Sequence, residues 1–453
     1  MKRIPRGADA HLTARRVTAL ALMALLAMRL AAAAFIAPPV VADAQGYEAA
    51  AYRLAVNGTY SYPGEEYWTR TEDDELIITE GDRRSFLSAP RSAFPMPGYP
   101  LFRSIFFRLS RDLARVRLLT RLAQALLSMM SAIIVWAIAR RFSARAGKIA
   151  LLASAAYVPF TLADSYLLTE TLFAALLVSF LALYLLWTDR RDARVAALAA
   201  FVLGLATWVR PPFAPWLLVA AVLTMLSSRT RSLRDARHLA LMGIVLVLTI
   251  SPWWVRNASL NDISSPLVVS VQSTALDAIR VDVGEQMPFP WSAEAPRQTS
   301  EEQEIEARID SFFAKTRSMG DEQRADYFEE EGASLTRDLY EHHWLTLASD
   351  RLRSVSVSLV TPFAISRTPL QGLPFLVGWL SHVAILGFFV AGAVTLPKRL
   401  DARLLASLPI YSILVYLPTV QLNRYHFPVM TAVIVIGSIG LDRLWARRSA
   451  LPR

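Results

Sequence analysis

Ten long apolar segments, separated by short polar stretches, dominate the sequence. They lie at about 17–39, 118–139, 149–163, 167–187, 195–209, 212–227, 239–254, 372–396, 404–420 and 425–441. A straight helix needs roughly 18 to 20 residues to cross the hydrocarbon core of a bilayer. The runs that begin at 149, 195 and 212 are shorter, so they must use flanking residues or enter as partly re-entrant helices. The pattern predicts an all-α polytopic membrane protein with about ten transmembrane helices.

Two long polar segments interrupt this pattern and divide the chain into three parts. Residues 1–256 form an N-terminal membrane module that includes a first loop at 40–117. Residues 257–370 form a second loop, which we expect to be mostly helical, and residues 371–453 return to the membrane. Both loops are expected on the same, extracytoplasmic side.

The first loop contains two predicted helices. One starts near Asp43, has Tyr47 on its apolar face, and stops at Asn57-Gly58. Prolines at 95, 97 and 100 then predict a rigid, extended return to the membrane. Residues 101–115 follow as a basic amphipathic helix in the headgroup layer, with its arginines opposite its apolar positions. In the second loop, Ser300 and Gln303 resemble a capping box that starts a helix, with Gly320 as its end.

Composition and charge agree with a membrane protein and fix its orientation. Hydrophobic residues make up 54% of the chain and the mean hydropathy is +0.34. If the N-terminus is cytoplasmic, nearly half of the 48 Lys and Arg residues lie in short inside segments, whereas the short outside turns hold only Arg210 and Arg424. We therefore expect a multi-pass protein of a bacterial inner membrane, with both termini on the cytoplasmic side. The net charge of +10 follows from this bias, so no nucleic-acid partner is needed.

The chain has no cysteine, which excludes disulfides, thiolate nucleophiles and Cys-based metal sites. Polar residues instead collect at the outward ends of the predicted spans. These candidates are Asp43, Arg91, Asp164, Glu170, Arg210, Arg256, Arg424, Tyr425 and His426. Because they come from distant parts of the chain but lie on one membrane face, they are candidates for a single site.

Each candidate also has a purely structural explanation. Asp43 is equally well explained as a helix N-cap, and Asp164 and Glu170 as ordinary acids of a turn and a first helical turn. The outward arginines could reach lipid headgroups, but three of them beside acids suggest a phosphate pocket. Arg29, in the middle of the first span, is expected to pair inside the bundle or to reach backbone carbonyls.

An ordered set of short motifs resembles the GT-C superfamily of membrane glycosyltransferases. Its closest type is the bacterial branch similar to protein mannosyltransferases and lipid A aminoarabinose transferase. The motifs are Asp43 with Tyr47; Pro97-Gly98-Tyr99-Pro100; Asp164 to Glu170; Gly204-Leu205-Ala206 with Arg210-Pro211; Pro252-Trp253 with Arg256-Asn257; and Arg424-Tyr425 with Pro428. They extend over most of the chain, and it is their order that carries the resemblance.

The resemblance implies an inverting enzyme that moves a sugar from a polyprenyl-phosphate carrier to an acceptor hydroxyl outside the membrane. Asp43 would be the catalytic base, and arginines would bind the donor phosphate: Arg91, Arg210, Arg256 and Arg424. The expected substrate-binding residues are Tyr47, Tyr99, Asp164, Glu170, Tyr425 and His426. The acceptor would be a lipid, a polysaccharide or a protein. Some relatives place a second acid beside the first-loop aspartate or carry a divalent metal. Here Ala44 follows Asp43, which argues against a divalent metal without excluding one.

Three other classes remain open from the sequence. A transporter or flippase would use the arginines as a path for an anionic lipid-linked substrate, but such folds usually show duplicated halves, and the sequence has none. A glycan ligase or polymerase would share the lipid-linked donor and most of the chemistry. A non-enzymatic assembly scaffold leaves the outward arginines without a role.

Overall fold

The computed structural model describes residues 6–40, 43–60, 69–70, 76–77, 96–227, 233–261, 271–284, 298–316, 319, 321–361, 373–417 and 423–449. Seventeen α-helices within these ranges are α1 Arg6–Phe35, α2 Asp43–Asn57, α3 Gly98–Leu109, α4 Leu113–Arg140, α5 Ala144–Ala156, α6 Val158–Ser165, α7 Glu170–Arg190, α8 Ala193–Val209, α9 Trp216–Ser227, α10 Leu233–Asn261, α11 Val271–Gly284, α12 Ser300–Thr316, α13 Asp321–Val360, α14 Leu373–Ala393, α15 Leu400–Tyr416, α16 Asn423–His426 and α17 Met430–Ser449. Short 3₁₀ helices at Pro211–Phe213 and Phe427–Val429 complete the helical elements that the structure describes.

The described part of the chain is helical apart from one short strand pair, Thr69–Arg70 and Leu76–Ile77, which are antiparallel. Within the described ranges, each of the ten predicted apolar runs overlaps a helix, which confirms the all-α polytopic prediction. The number of spans is not confirmed. Five helical stretches in the described ranges are long and apolar enough to cross a membrane, and α5 with α6 forms a sixth candidate bent by 50°. The segments near 195 and 212, already short in the sequence, remain shorter helices.

Polar caps set where several helices begin. Asp112 accepts a hydrogen bond from the Arg115 backbone N–H at the start of α4, at 3.2 Å. Asp192 does the same for Arg194 at the start of α8, at 2.7 Å. Each cap satisfies a backbone donor that lacks a partner inside its helix. These caps fix the points at which α4 and α8 begin.

The core of the membrane part lies around α7 and α17. Both helices are covered by their neighbours along most of their length. Helices α14 and α17 touch at Gly392, where an added Cβ atom would collide with the Ile436 carbonyl oxygen. Glycine therefore permits the close approach of these two helices. This packing holds α17, and with it the short helix α16 that precedes it, against the centre of the bundle.

The second loop forms a separate bundle of α11, α12 and α13. Its core contains Leu276, Ile279, Val283, Ile305, Ile309, Phe312, Leu339 and Leu347. The backbone of α13 departs from helical geometry at His343 (φ −125°, ψ 24°). Helix α13 also contacts α16, so this bundle and the end of the membrane part are in direct contact.

Three local predictions were wrong in detail. Residues 98–100 start helix α3 rather than an extended return, because proline is tolerated in the first turn of a helix. The predicted helix over 101–115 is divided at Ser110, because Asp112 caps a new helix. Arg103, placed on its exposed face, is fully buried. The capping box of α12 is formed by Thr299 and Glu302, one residue earlier than predicted.

Other predictions in the loops are confirmed or lie outside the described residues. Helix α2 begins at Asp43 and ends at Asn57, and Gly58 has a positive φ of 71°. That conformation suits glycine, so the predicted stop is confirmed. Gly320 and Arg91 lie outside the described residues.

Candidate active site

The centre of the candidate site is an ion pair between two residues 381 positions apart in sequence. Arg424 donates from Nη2 to Oδ2 of Asp43 in a close salt bridge. Asp43 is the first residue of α2, and Arg424 lies in α16, just before the core helix α17. The Asp43 side chain is 43% exposed and that of Arg424 only 16%. The carboxylate is therefore accessible, while the guanidinium lies deeper in the protein.

A second ion pair lies directly behind the first. Arg210, which follows α8, donates from Nη2 to Oε1 of Glu170 at 2.5 Å and from Nε to Oγ1 of Thr169 at 2.9 Å. The same Glu170 oxygen is 3.9 Å from Nε of Arg424. Glu170 is 1% exposed and starts α7. It thus joins the two arginines into one cluster.

Aromatic rings enclose this cluster. The Tyr425 ring lies close to both guanidinium groups, with its centroid 4.9 Å from Cζ of Arg210 and 5.4 Å from Cζ of Arg424. Tyr416 stacks on Tyr425, with ring centroids 4.9 Å apart. A cation over an aromatic face is stabilised by the ring quadrupole. The rings therefore orient both arginines without adding negative charge.

Tyr47 lies within electrostatic range of all four charged groups. It is one turn along α2 from Asp43. Burial, and next the negative charge of Asp43, raise the pKa of Tyr47 despite the opposing effect of Arg210 and Arg424. The phenol therefore stays protonated at neutral pH and can act as a hydrogen-bond donor beside the Asp43 carboxylate.

The cluster is electrically balanced, with two carboxylates and two guanidinium groups. Both arginines are already paired, so an anionic ligand must compete with a carboxylate to bind them. Glu170 is nearly inaccessible, whereas Asp43 is partly open. Asp43 is therefore the carboxylate that an incoming anion can replace.

Arg256 flanks the cluster on the far side of Tyr60. Its Nη2 donates to the Tyr60 carbonyl oxygen at 2.9 Å, and its Cζ lies 4.5 Å from the Trp253 ring centroid. Burial raises the pKa of Tyr60, and Tyr47 adds to this effect. Arg256 is thus next to the cluster, but none of its described contacts reaches Asp43 or Glu170.

Asp164 lies apart from the Asp43 cluster. It is fully buried and accepts from Nη1 of Arg29 at 2.8 Å. Nη2 of Arg29 also donates to the Ser154 carbonyl oxygen at 3.2 Å, which confirms the prediction for Arg29. Thr171, one residue after Glu170, donates to Oδ1 of Asp164 at 3.3 Å. Asp164 therefore anchors the start of α7 from inside the bundle.

The two remaining described candidates lie at the edge of the cluster. Tyr99 packs edge-on against Tyr47, with centroids 5.3 Å apart, and donates to Oε1 of Gln124 at 2.6 Å. His426 is buried behind Tyr416 and its Nδ1 lies 3.0 Å from the Ser412 hydroxyl oxygen. Both support aromatic rings of the cluster.

Three residues at the site or beside it were not predicted from the sequence. Thr169 binds Arg210 and stands next to Glu170, so its position was a usable signal. Tyr416 gave no signal, because its stacking on Tyr425 depends on the crossing of α15 and α16. Glu48 was also missed: it is 2% exposed and holds two arginines from α3 and α4. It fixes helix α2, which carries Asp43.

No group of three or more His, Asp or Glu side chains suited to a metal ion occurs within the ranges that the structure describes. The site chemistry visible there is that of carboxylates, guanidinium groups and phenols.

One family model matches part of the chain. Residues 94–255 match the family model described as dolichyl-phosphate-mannose-protein mannosyltransferase. The matched region extends from the segment before α3 into α10 and contains Glu170 and Arg210. Over this region the match confirms the resemblance seen in the sequence.

Solved structures give weaker similarities. The crystal structure of ArnT from Cupriavidus metallidurans bound to undecaprenyl phosphate aligns with 14% identity and a TM-score of 0.42, over 95% of this chain and 79% of that chain. The apo state of the same protein aligns with 16% identity and a TM-score of 0.43, over 95% of this chain and 78% of that chain. The structural similarity to these two proteins is therefore weak. No curated protein is similar enough in sequence to match.

Proposed function

We propose that this protein is an inverting glycosyltransferase that moves a sugar from a polyprenyl-phosphate carrier to an acceptor hydroxyl on the periplasmic side of the membrane. The observation that carries the proposal is the convergence of Asp43, Glu170, Arg210 and Arg424 from four distant parts of the chain. The family description names a dolichyl-phosphate sugar as donor, and this supports a polyprenyl-phosphate donor here.

Asp43 is the proposed base. The acceptor oxygen attacks the anomeric carbon of the sugar and gives its proton to the Asp43 carboxylate. The bond between that carbon and the phosphate oxygen breaks at the same time, so the configuration inverts. Asp43 lies at the start of α2, where the helix dipole favours a negative charge. Its 43% exposure leaves room for an acceptor to approach.

Arg424 and Arg210 are the proposed phosphate-binding groups. As the carrier phosphate departs it gains negative charge, which guanidinium groups stabilise through paired hydrogen bonds. Since Arg424 holds Asp43, a donor phosphate that accepts from Arg424 would displace the carboxylate and leave it free to take the acceptor proton. In this scheme donor binding prepares the base. Glu170 keeps the two arginines together throughout.

The remaining candidate residues have proposed roles at the rim. Tyr47 would donate to a sugar or phosphate oxygen, and Arg256 and Arg91 would extend the cationic surface toward the donor. The acceptor, whether lipid, polysaccharide or protein, would approach beside the second loop, because α13 contacts the helix that carries Arg424.

A donor panel tests the proposal. Purified enzyme in lipid nanodiscs is incubated with several polyprenyl-phosphate sugars, and carrier phosphate release is measured for wild type, Asp43→Asn and Asp112→Asn. Asparagine replaces aspartate at helix starts at little cost, so both variants should fold. We expect loss of turnover in Asp43→Asn alone. Equal turnover in all three would remove Asp43 from the mechanism, and solute flux without turnover would favour the transporter.

A further inference from the structure

A group of arginines on the opposite side of α2 from Asp43 has no place in the transfer scheme. Glu48 lies five residues after Asp43, so it points to a different side of the helix. Its Oε2 accepts from Arg103 at 2.7 Å and from Nε of Arg117 at 3.0 Å, and its Oε1 accepts from Nη2 of Arg117 at 2.8 Å. Both carboxylate oxygens of Glu48 are therefore engaged.

Arg121 belongs to this group of arginines but forms no ion pair with Glu48. It lies one turn after Arg117 on α4, so their side chains share a face. Arg121 is 9% exposed, and its Nε is buried with no acceptor. None of the carboxylates in the described ranges forms an ion pair with it. A guanidinium this deeply covered is costly unless an anion compensates its charge.

The position of Arg121 along α4 places it at headgroup depth. Residues 122–139 contain no charged side chain, and Arg140 ends this stretch. At 1.5 Å per residue the stretch is about 27 Å long, close to the thickness of the hydrocarbon core. Arg121 and Arg140 therefore bracket that core. Arg121 is at the end nearer the Asp43 cluster, at the level of lipid phosphates.

The neighbouring surface suits an anionic lipid. Arg108, Arg111 and Arg115 are exposed around the junction of α3 and α4. Ile105 and Leu109, which lie on α3, are 54% and 70% exposed. Apolar side chains next to cations match the two parts of a lipid, its acyl chains and its phosphate.

We propose that Arg121 binds the phosphate of an anionic membrane lipid, at a site separate from the donor site. The 9% exposure leaves a route for a headgroup phosphate to reach the guanidinium. Arg117 adds positive charge one turn away, while Glu48 holds it in position. A bound lipid would fix the junction of α3 and α4, and so the helix α2 that carries Asp43. This proposal does not depend on the transfer reaction.

Lipid retention tests the site directly. Wild type, Arg121→Gln and Arg140→Gln are reconstituted into nanodiscs of phosphatidylglycerol or phosphatidylcholine. The proteins are then released, and the lipid that stays bound is counted by native mass spectrometry. We expect wild type and Arg140→Gln to retain phosphatidylglycerol, and Arg121→Gln to bind it about tenfold more weakly, because a charge-assisted hydrogen bond is lost. Arg140 is the matched control, since it lies on the same helix at the other membrane face. Equal retention in all three overturns the proposal.

Two further arms deal with folding and with the source of the phosphate. Arg121→Lys keeps the charge but loses the paired N–H donors, so it should fold and show retention between wild type and Arg121→Gln. If Arg121→Gln does not fold, retention by Arg121→Lys equal to wild type overturns the proposal. In the second arm, inorganic phosphate replaces phosphatidylglycerol in a thermal-stability assay. An equal rise in melting temperature with inorganic phosphate would overturn the lipid assignment.

Discussion

Asp43→Asn should bind the donor more tightly while losing turnover. In the structure, the Asp43 carboxylate and the proposed donor phosphate depend on the same Arg424 guanidinium. The ion pair is 43% exposed on the Asp43 side and 16% on the Arg424 side. Pairs in such partly exposed settings contribute about 1 kcal/mol. Removal of this competitor should strengthen phosphate binding by about fivefold, since each 1.4 kcal/mol is about tenfold in affinity.

Calorimetry with a short-chain polyprenyl phosphate measures this effect without catalysis. Wild type, Asp43→Asn and the control Asp112→Asn are titrated in the same detergent, and the dissociation constants are compared. The Asp112 side chain caps α4 and takes no part in the cluster, so its variant should match wild type. Unchanged or weaker binding by a folded Asp43→Asn protein would show that phosphate and Asp43 do not share Arg424.

Three other changes test the packing and charge around the site. Glu170→Gln removes the buried carboxylate between two arginines and should lower stability by about 3 kcal/mol, seen as a lower melting temperature. Gly392→Ala should cost about 1–3 kcal/mol because the new methyl group meets the Ile436 carbonyl oxygen, whereas Gly243→Ala has open space and serves as control. Burial, and next a nearby carboxylate, raise the pKa of Asp350 to about 7. Between pH 3.8, the ordinary pKa of an aspartate, and about pH 7, Asp350 is therefore protonated in the folded protein but ionised in the unfolded chain. Stability should therefore fall as pH rises toward 7, and Asp350→Asn should gain on the order of 1 kcal/mol at pH 8 but nothing at pH 4; a variant that melts with the same pH dependence as wild type would contradict this.

The membrane architecture was predictable because its signal is local. Each apolar run carries its own evidence for a helix, and each of the ten overlaps a helix in the described ranges. Helix α2 was predictable for the same reason, since Asp43 at its start and Asn57-Gly58 at its end are local signals. The number of full spans was not predictable in this way. The 50° bend between α5 and α6 lies next to Pro159, in the first turn of α6, and an apolar run alone does not reveal such a break.

The membership of the site was only partly predictable. Topology placed Glu170, Arg210 and Arg424 on one membrane face, and the structure brings these three together with Asp43. The expected topology alone could not distinguish these residues from Asp164, which is also a charged residue at the outward end of a predicted span. Asp164 is instead buried with Arg29. The pairing of acids with arginines depends on how helices cross, which a single sequence does not encode locally.

The balanced charge of the cluster explains how the protein can keep two arginines in a half-buried site. Two buried guanidinium groups without carboxylate partners would destabilise the folded protein and would attract any anion. Glu170 neutralises one arginine from inside, and Asp43 neutralises the other from the open side. In the proposed scheme, an anion would reach Arg424 only by outcompeting Asp43, and it would free the carboxylate as it binds. The same contact that stabilises the folded site would therefore link donor binding to activation of the base.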